Sequence, residues 1–471
     1  MVGRVQGSAC KIVGLAAAIM VACAAHASAG TLEPTRTDDP VPDACKANDC
    51  SLREAARRAV LSFDDDRILL DAETYEFDIP DDGNGDGLSG DLDFFNSGTI
   101  EIVGKGPNKT TIDARGVDRI VEIFAPGPRV EISRLTLQGG APAGVVQAGG
   151  AISNEGRLTL RKVVVQDNSA LDEGGGLQNE LGAVTKVISS TFFDNHATGE
   201  FGRGGAINNR NEARITLTNS EILENSAGTG GGGLTNQNEG RMTLRRVTVA
   251  KNFLVHPDFS QGGGIFNQND AKLTVTDSTI WDNTSPATGG GMFIQNNAVA
   301  SFKNSTLTAN QADTGGAIST NNYPTLKFAF TTIGPNVAAS SGGAIFDGTN
   351  EPGPTNPQPP FFTFRATIVG ASSAPLSPTC HVDQPGVWKS KGSNVEDGAD
   401  SCQFTASSDQ PNADSGLGLL AENGGPTLTH KLAAASDAVD AAPKKGCPKR
   451  DQRGSKRPKG PRCDSGSYER R

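Results

Sequence analysis

The sequence predicts an all-β fold: a single-stranded parallel β-helix, a solenoid of stacked coils, with a short N-terminal capping helix. Three observations predict it. A Gly-Gly-(Ala/Gly)-(Ile/Leu/Met) string returns eight times, its apolar position falling at Ile152, Leu177, Ile207, Leu234, Ile265, Met292, Ile318 and Ile345, at intervals of 25, 30, 27, 31, 27, 26 and 27 residues. A second mark, Asn168, Asn195, Asn225, Asn252, Asn283, Asn310 and Asn336, recurs at 27, 30, 27, 31, 27 and 26 residues. Two marks moving in step at such periods mean a solenoid. The composition agrees: 58 Gly in 471 residues, 20% charged and 5% aromatic, with no collagen period, which suits tight corners around a thin core.

The elements follow in order. Residues 1–29 read as a signal peptide: Arg4 and Lys11 precede the apolar run 12–25, and Ala27-Ser28-Ala29 offers a cleavage site. Cys23 leaves a lipoprotein reading open, disfavoured by Met20 three residues earlier. Residues 30–66 form an N-terminal cap. Within it 50–60 reads as a helix, N-capped by Ser51 with Glu54 completing a capping box, Leu52, Ala55, Ala56 and Ala59 on one face and Arg53, Arg57 and Arg58 largely off it. Such a helix covers the first coil, because an open solenoid end exposes core and unpaired backbone. Residues 67–148 make early, irregular coils that begin with a strand pair, 67–70 and 74–77.

Residues 149–370 are the regular repeats. The glycines (Gly150, Gly175, Gly205, Gly232, Gly263, Gly290, Gly316 and Gly343 in the second position of each string) mark one corner, where positive φ and close backbone approach are needed. The asparagines mark another, where they tolerate left-handed geometry and bond from coil to coil. Thr159, Thr216, Thr243 and Thr274 line an outer face, and eight units stacked at the spacing of paired strands run about 34 Å. A proline-rich loop, 351–360, interrupts the repeat, and 361–369 resumes one strand. Residues 371–471 are loop-rich and end in a basic tail: from 443 on, 11 Lys/Arg stand against three acids, on a chain of net charge -10. That tail reads either as a polyanion or membrane contact or as a solvated, disulfide-tied end. Six cysteines remain after the leader, and their clustering pairs Cys45 with Cys50, Cys380 with Cys402 and Cys447 with Cys463, in an oxidising compartment.

Three segments resemble known modules. Cys50-Ser51-Leu52-Arg53-Glu54-Ala55 resembles the bacterial secreted domain named for that string, CSLREA. The Gly-Gly-Ala-Ile marks with spaced Asn resemble the repeats of polymorphic outer-membrane proteins and adhesin-like right-handed β-helices. The stretch Leu417-Gly418-Leu419-Leu420, Asn423-Gly424-Gly425-Pro426-Thr427, Asp451-Gln452-Arg453-Gly454 and Cys463-Asp464-Ser465-Gly466-Ser467-Tyr468-Glu469 resembles a choice-of-anchor surface domain. The resemblance implies a right-handed, exported or cell-surface β-helix without an established activity, outer-membrane association included, and supplies no catalytic residues. No anchor follows Glu469, so covalent or barrel anchoring is not expected.

Two groups of residues carry chemistry. Asp82-Gly83-Asn84-Gly85-Asp86-Gly87 matches the D-x-[DN]-x-[DN]-G calcium loop, with Asp82, Asn84 and Asp86, the Leu88 carbonyl and Asp93 as the ligand set for a structural calcium. Asp167, Asp194 and Glu224 each precede a repeat Asn, as does Asp282; in register the first three form a carboxylate row at about 4.8 Å steps, near the separation of a retaining glycosidase pair. Lys251 breaks that row, and acids repeated at exposed turns explain it as simply. A calcium-dependent lyase needs acids converging with an arginine, which the sequence does not display. The expectation is therefore a non-catalytic secreted or surface protein, adhesin-like or structural, binding glycan or protein through its lateral face. The alternative is a carbohydrate-active enzyme, a polysaccharide lyase or glycoside hydrolase acting on a long polymer. A deep groove with paired acids and aromatic platforms favours the enzyme, and a flat Thr/Asn face favours adhesion. The expected partners are extracellular glycan or protein surfaces; no nucleic acid, no integral membrane segment and no obligate oligomer are expected.

Overall fold

A computed structural model describes residues 30–143, 147–348, 361–382 and 387–470. The leader with Cys23 and the proline-rich segment 351–360 lie outside the described residues. The chain winds as a right-handed parallel β-helix. Each coil contributes one strand to each of three long sheets. Sheet I holds 13 strands, from Gly30–Leu32 to Val387–Ser390; sheet II holds 11, from Leu92–Phe94 to Cys380–Val382; sheet III holds 13, from Thr74–Glu76 to Gln410–Ala413. A fourth, narrow ladder of two-residue strands runs from Ser169–Ala170 to Phe253–Leu254. The core is the stack of inward side chains, and one continuous apolar cluster runs from Leu32 to Phe404.

The eightfold apolar mark is part of a longer row. Leu92 pairs with Val121, and Val121 with Ile152, so sheet II extends two coils toward the N-terminus; at the other end Ile345 pairs with Cys380. The two glycines of each string divide the work. The first has positive φ, from Gly149 (71°) to Gly342 (65°). The second packs backbone on backbone: a Cβ on Gly150 would lie 2.0 Å from the Gly175 carbonyl oxygen, and one on Gly205 2.2 Å from that of Gly232.

The asparagine row forms one unbroken ladder. Each side-chain amide donates to the Oδ1 of its counterpart one coil on, from Asn168 to Asn195 (2.9 Å) through Asn310 to Asn336 (3.0 Å). These asparagines are not the left-handed residues. The residue before each one except Asn336 is: Asp167 (φ 53°), Asp194 (54°), Glu224 (57°), Lys251 (57°), Asp282 (55°) and Ala309 (56°), while Pro335 precedes Asn336. The left-handed turn points that side chain outward and sends the Asn inward, where it must find amide partners because it is fully buried. A second ladder, Asn154, Asn179, Asn209, Asn236 and Asn267, closes the far end of sheet II with steps of 2.7–2.8 Å. On the outer face of sheet I, Thr216, Thr243 and Thr274 stack in register as expected, with Lys186 between Thr159 and Thr216.

Helix α1, Leu52–Ser62, caps the first coil with the full Ser51–Glu54 capping box. Arg53 departs from its expected place off the buried face: it is 1% exposed. Its guanidinium pairs with Asp39 at 2.8 Å on both nitrogens and donates to the carbonyls of Gly90 (2.7 Å) and Asp91 (2.9 Å), with the Phe77 ring 5.0 Å away. Four hydrogen bonds to three partners satisfy a buried charge that would otherwise be costly. The expected strand pair is also corrected. Asp66–Leu69 belongs to sheet I and Thr74–Glu76 to sheet III, because a solenoid pairs strands between coils rather than within one. Likewise 361–369 is two strands, Phe361–Arg365 and Ile368–Val369, separated by a corner, and the sheets run on past it, sheet III as far as Ala413.

All three expected disulfides form. The basic tail is tied by the Cys447–Cys463 disulfide, with most of its Lys/Arg side chains exposed. It folds back over the outer face of sheet III, where Gln452 bonds Thr306 (2.7 Å) and Thr279 (2.9 Å) and Ser467 bonds Thr332 (2.9 Å). Arg457 and Glu469 are fully buried and paired at 3.4 Å. Among the described residues, no helix is long and apolar enough to cross a membrane.

Candidate metal centre

The Leu92–Phe94 and Val121–Ile123 strands begin sheet II, and their register sets Asp93 directly beside Glu122, with Ser153 next in the row. Side chains alternate across a strand, so with Leu92 and Val121 in the core, Asp93 and Glu122 share the outer face. Asp91 enters from the turn before the strand. Gly90 makes that turn possible: it has φ 61°, and a Cβ there would lie 2.5 Å from Asp118 Oδ2. Arg53 holds the Gly90 and Asp91 carbonyls from behind, and Arg57 holds the Asp86 carbonyl at 2.6 Å, so the capping helix also braces this loop.

One ligand atom from each of Asp91, Asp93 and Glu122 lies within 4.8 Å of the others. Calcium-type oxygen contacts of about 2.3–2.6 Å reach across such a spread from one central ion. Asp91 and Asp93 are 4% and 5% exposed. Asp93 Oδ2 accepts the Gly87 N–H at 2.8 Å, while its buried Oδ1 has no hydrogen-bond partner. A cation held by the three carboxylates would satisfy that oxygen. Arg119 NH1 contacts Glu122 at 2.9 Å and Asp91 at 3.4 Å. The cluster floors a cleft of about 360 Å³, walled by Asp81, Asn84, Asp118 and Phe124.

The electrostatics follow from burial. Desolvation and the neighbouring Asp93 push Asp91 well above the usual carboxylate range. Desolvation lifts Asp93 to about 6, against the Gly87 hydrogen bond that stabilises its charge. Burial raises Glu122 as well, opposed by Arg119. For Arg119 burial works against the charge, but Asp91 and Glu122 outweigh it and its pKa is raised.

The expected calcium ligands separate into two groups. Only Asp93 joins the cluster. Asp82 is exposed and accepts from the Asn84 side chain (2.8 Å) and backbone (3.1 Å), and Asp86 accepts the Leu88 N–H (2.9 Å), so these residues build consecutive turns of the loop. Asp91, Glu122 and Arg119 were not legible as partners of Asp93. The signal for Glu122 was present, since 93, 122 and 153 are spaced by 29 and 31 residues, within the range of the repeat.

The carboxylate row is real but occupied. The register places Asp167, Asp194 and Glu224 in successive coils. Asp194 pairs with His196 at 3.2 Å and Glu224 with Lys251 at 3.3 Å. Asp167 is raised by burial and then by Asp194. Between this face and the returning chain lies a second cleft of about 630 Å³, lined by Glu224, Lys251, Trp281, Glu422 and Pro426 among others.

No family model matches the chain, and no curated protein does. Among solved structures the fold is similar to that of pectate lyase Pel9A, with TM-score 0.48 and 15% identity over 95% of this chain and 98% of that one. It is also similar to the A-module of Azotobacter vinelandii mannuronan C-5 epimerase AlgE6, with TM-score 0.40 and 15% identity over 74% of this chain and 95% of that one. At this level the likeness is one of fold. The expectation of a non-catalytic, adhesin-like protein gives way to its alternative, a carbohydrate-active enzyme, which is taken up below as a proposal. The physical reason is that the coil register brings acids and an arginine into a cleft, the convergence that the linear sequence did not display.

Proposed function

We propose that the protein is a carbohydrate-active β-helix enzyme of the cell exterior that acts on a long acidic polysaccharide, with calcium held by Asp91, Asp93 and Glu122. The observation that carries this reading is the orphaned Asp93 Oδ1 in a buried three-carboxylate cluster at the floor of an open cleft. Desolvated carboxylates facing one another favour protons or a cation, and an all-oxygen donor set suits calcium. When bound, calcium supplies Lewis-acid polarisation of a uronate carboxylate, which acidifies the neighbouring C–H. Arg119 binds and orients: its planar guanidinium matches a carboxylate, and its secured charge makes it a poor base. Trp281 in the second cleft supports a sugar ligand by offering an aromatic surface. Three disulfides support an oxidising compartment, and the CSLREA-type cap and the surface-domain resemblance of the C-terminus belong to the same proposal.

A second reading has its own observation. Asp93, lifted to about 6, holds a proton in mild acid, with Glu122 as its close neighbour. Their ligand atoms lie within 4.8 Å of each other, against the carboxyl separation of about 5 Å that a retaining glycosidase uses, and such a pair needs no metal.

A panel of uronate polymers and neutral glycans, with calcium and with chelator, scored for unsaturated products and for reducing ends, separates the two. The expected result is calcium-dependent cleavage of a uronate polymer, abolished in Asp93→Asn and Glu122→Gln. Cleavage that persists in chelator selects the hydrolase, and no cleavage of any polymer sinks both. Calcium calorimetry locates the ion. Heat is expected to vanish in Asp93→Asn and to survive Asp82→Asn with Asp86→Asn; the reverse pattern would return the ion to the loop.

A further inference from the structure

The outer face of sheet I has a charge opposite to that of the chain. From Arg157–Arg161 to Phe361–Arg365, eight strands present 24 outward positions, which hold ten Lys/Arg, nine Thr/Ser and no Asp/Glu, in a protein of net charge -10. The cations are stacked rather than dispersed. Arg214, Arg241 and Lys272 stand directly opposite one another on consecutive strands, all three exposed. Like charges opposite each other destabilise a sheet, so this column is held against its own repulsion. Of the ten cations, Arg161 is paired with Glu131 at 3.2 Å and Arg365 donates to the Lys445 carbonyl at 2.9 Å. The other eight make no ion pair among the described residues. Glu212, Glu239 and Asp270 line the turn beside the column, across a cleft of about 320 Å³, without closing to salt-bridge distance.

We propose that this face is a binding track for a linear acidic polysaccharide, lying along the solenoid axis and distinct from the carboxylate cluster on sheet II. Its cations repeat at the strand spacing of about 4.8 Å, so a flexible polymer with one carboxylate per sugar meets a cation row at each coil. The interleaved hydroxyls are hydrogen-bond partners for sugar hydroxyls. A nucleic acid is the poorer fit, because stacking platforms for bases are missing between the cations. The choice of polymer rests on the function proposed above; the existence of a polyanion track does not.

The test is binding of polygalacturonate, alginate, neutral dextran, single-stranded DNA and anionic vesicles to the full chain, in chelator so that the carboxylate cluster plays no part. Expected is salt-sensitive binding of the two uronate polymers over dextran. Arg214→Gln with Arg241→Gln and Lys272→Gln should weaken it about tenfold and flatten its salt dependence. Removing the facing acids, Glu212→Gln with Glu239→Gln, should instead strengthen it, a gain that misfolding cannot mimic. Unchanged affinity in both variants, or binding to DNA or vesicles as tight as to uronate polymers, overturns the proposal. The two readings fail separately: loss of cleavage in Asp93→Asn with these affinities unmoved leaves the function above standing and removes the track.

Discussion

The early coils and the regular body share one winding and solve opposite problems. In the body, the buried asparagines meet their own copies one coil away. The Asn168–Asn336 ladder needs no outside partner because every amide donates to one neighbour and accepts from the other. In the early coils the same stacking sets unlike or like-charged residues together: Asp93 lies beside Glu122, with Asp91 behind them. Repetition satisfies the asparagine ladders from within, whereas in the early coils stacking gathers three carboxylates, one of which, Asp93, keeps a buried oxygen without a hydrogen-bond partner.

The largest expected effect breaks the body. Gly205→Ala puts a Cβ against two carbonyl oxygens, at 2.2 and 2.3 Å, and backbone cannot yield as a side chain can. A loss above about 4 kcal/mol is expected, read as failure to fold or a collapsed melting temperature. Gly182→Ala, at positive φ (78°) and with open space around it, should cost only about 1 kcal/mol. Equal losses would refute the division of labour between the glycines.

Next comes the joint between the regions. Arg53→Ala leaves Asp39 buried and unpaired, for about 3–5 kcal/mol, and frees the Gly90 and Asp91 carbonyls, so calcium affinity should fall with stability. Asn225→Ala removes one rung, taking away the Oδ1 that accepts both the Asn195 backbone N–H and its side-chain amide, for about 3 kcal/mol, with calcium heat unchanged. If denaturant melts show the rung loss spreading to the calcium site, the two regions are less separate than described.

The pH response sharpens the contrast. Asp93 has a folded pKa of about 6, above its unfolded value near 3.8, so the folded state binds the extra proton between those limits. Stability without calcium should therefore rise as pH falls from 7 toward 4. Asp93→Asn should flatten that slope, and calcium should reverse it, because cation and proton compete for the same oxygens. Thermal melts across that range, with calcium and with chelator, measure it. The smallest effect belongs to the outward row. Asp194→Asn and Glu224→Gln remove half-exposed pairs and should change stability by no more than about 0.5 kcal/mol, with cleavage intact.

The candidate site was only partly legible. Asp93 stood out because the loop motif ends on it, yet the motif misdirected its partners: Asp82, Asn84 and Asp86 are close in sequence and bond among themselves. Asp91, Glu122 and Arg119 meet Asp93 through inter-coil register, and no local pattern records which residue of one irregular coil faces which residue of the next. Arg53 was read from helical periodicity as lying off the buried face, which was wrong because a cap packs against a loop as well as against the core.

By itself, the sequence determined the winding, the glycine and asparagine corners, the capping box and the three disulfides. All are local or strictly periodic, so spacing alone specifies them. The tertiary structure decided the depth of Asp93, the meeting of Asp91 and Glu122 with Arg119, the folding back of the basic tail, and the single sign of charge on the outer face of sheet I from Arg157 to Arg365. Each depends on which side chains fall opposite one another when coils of unequal length stack, and strand register, not sequence distance, sets that.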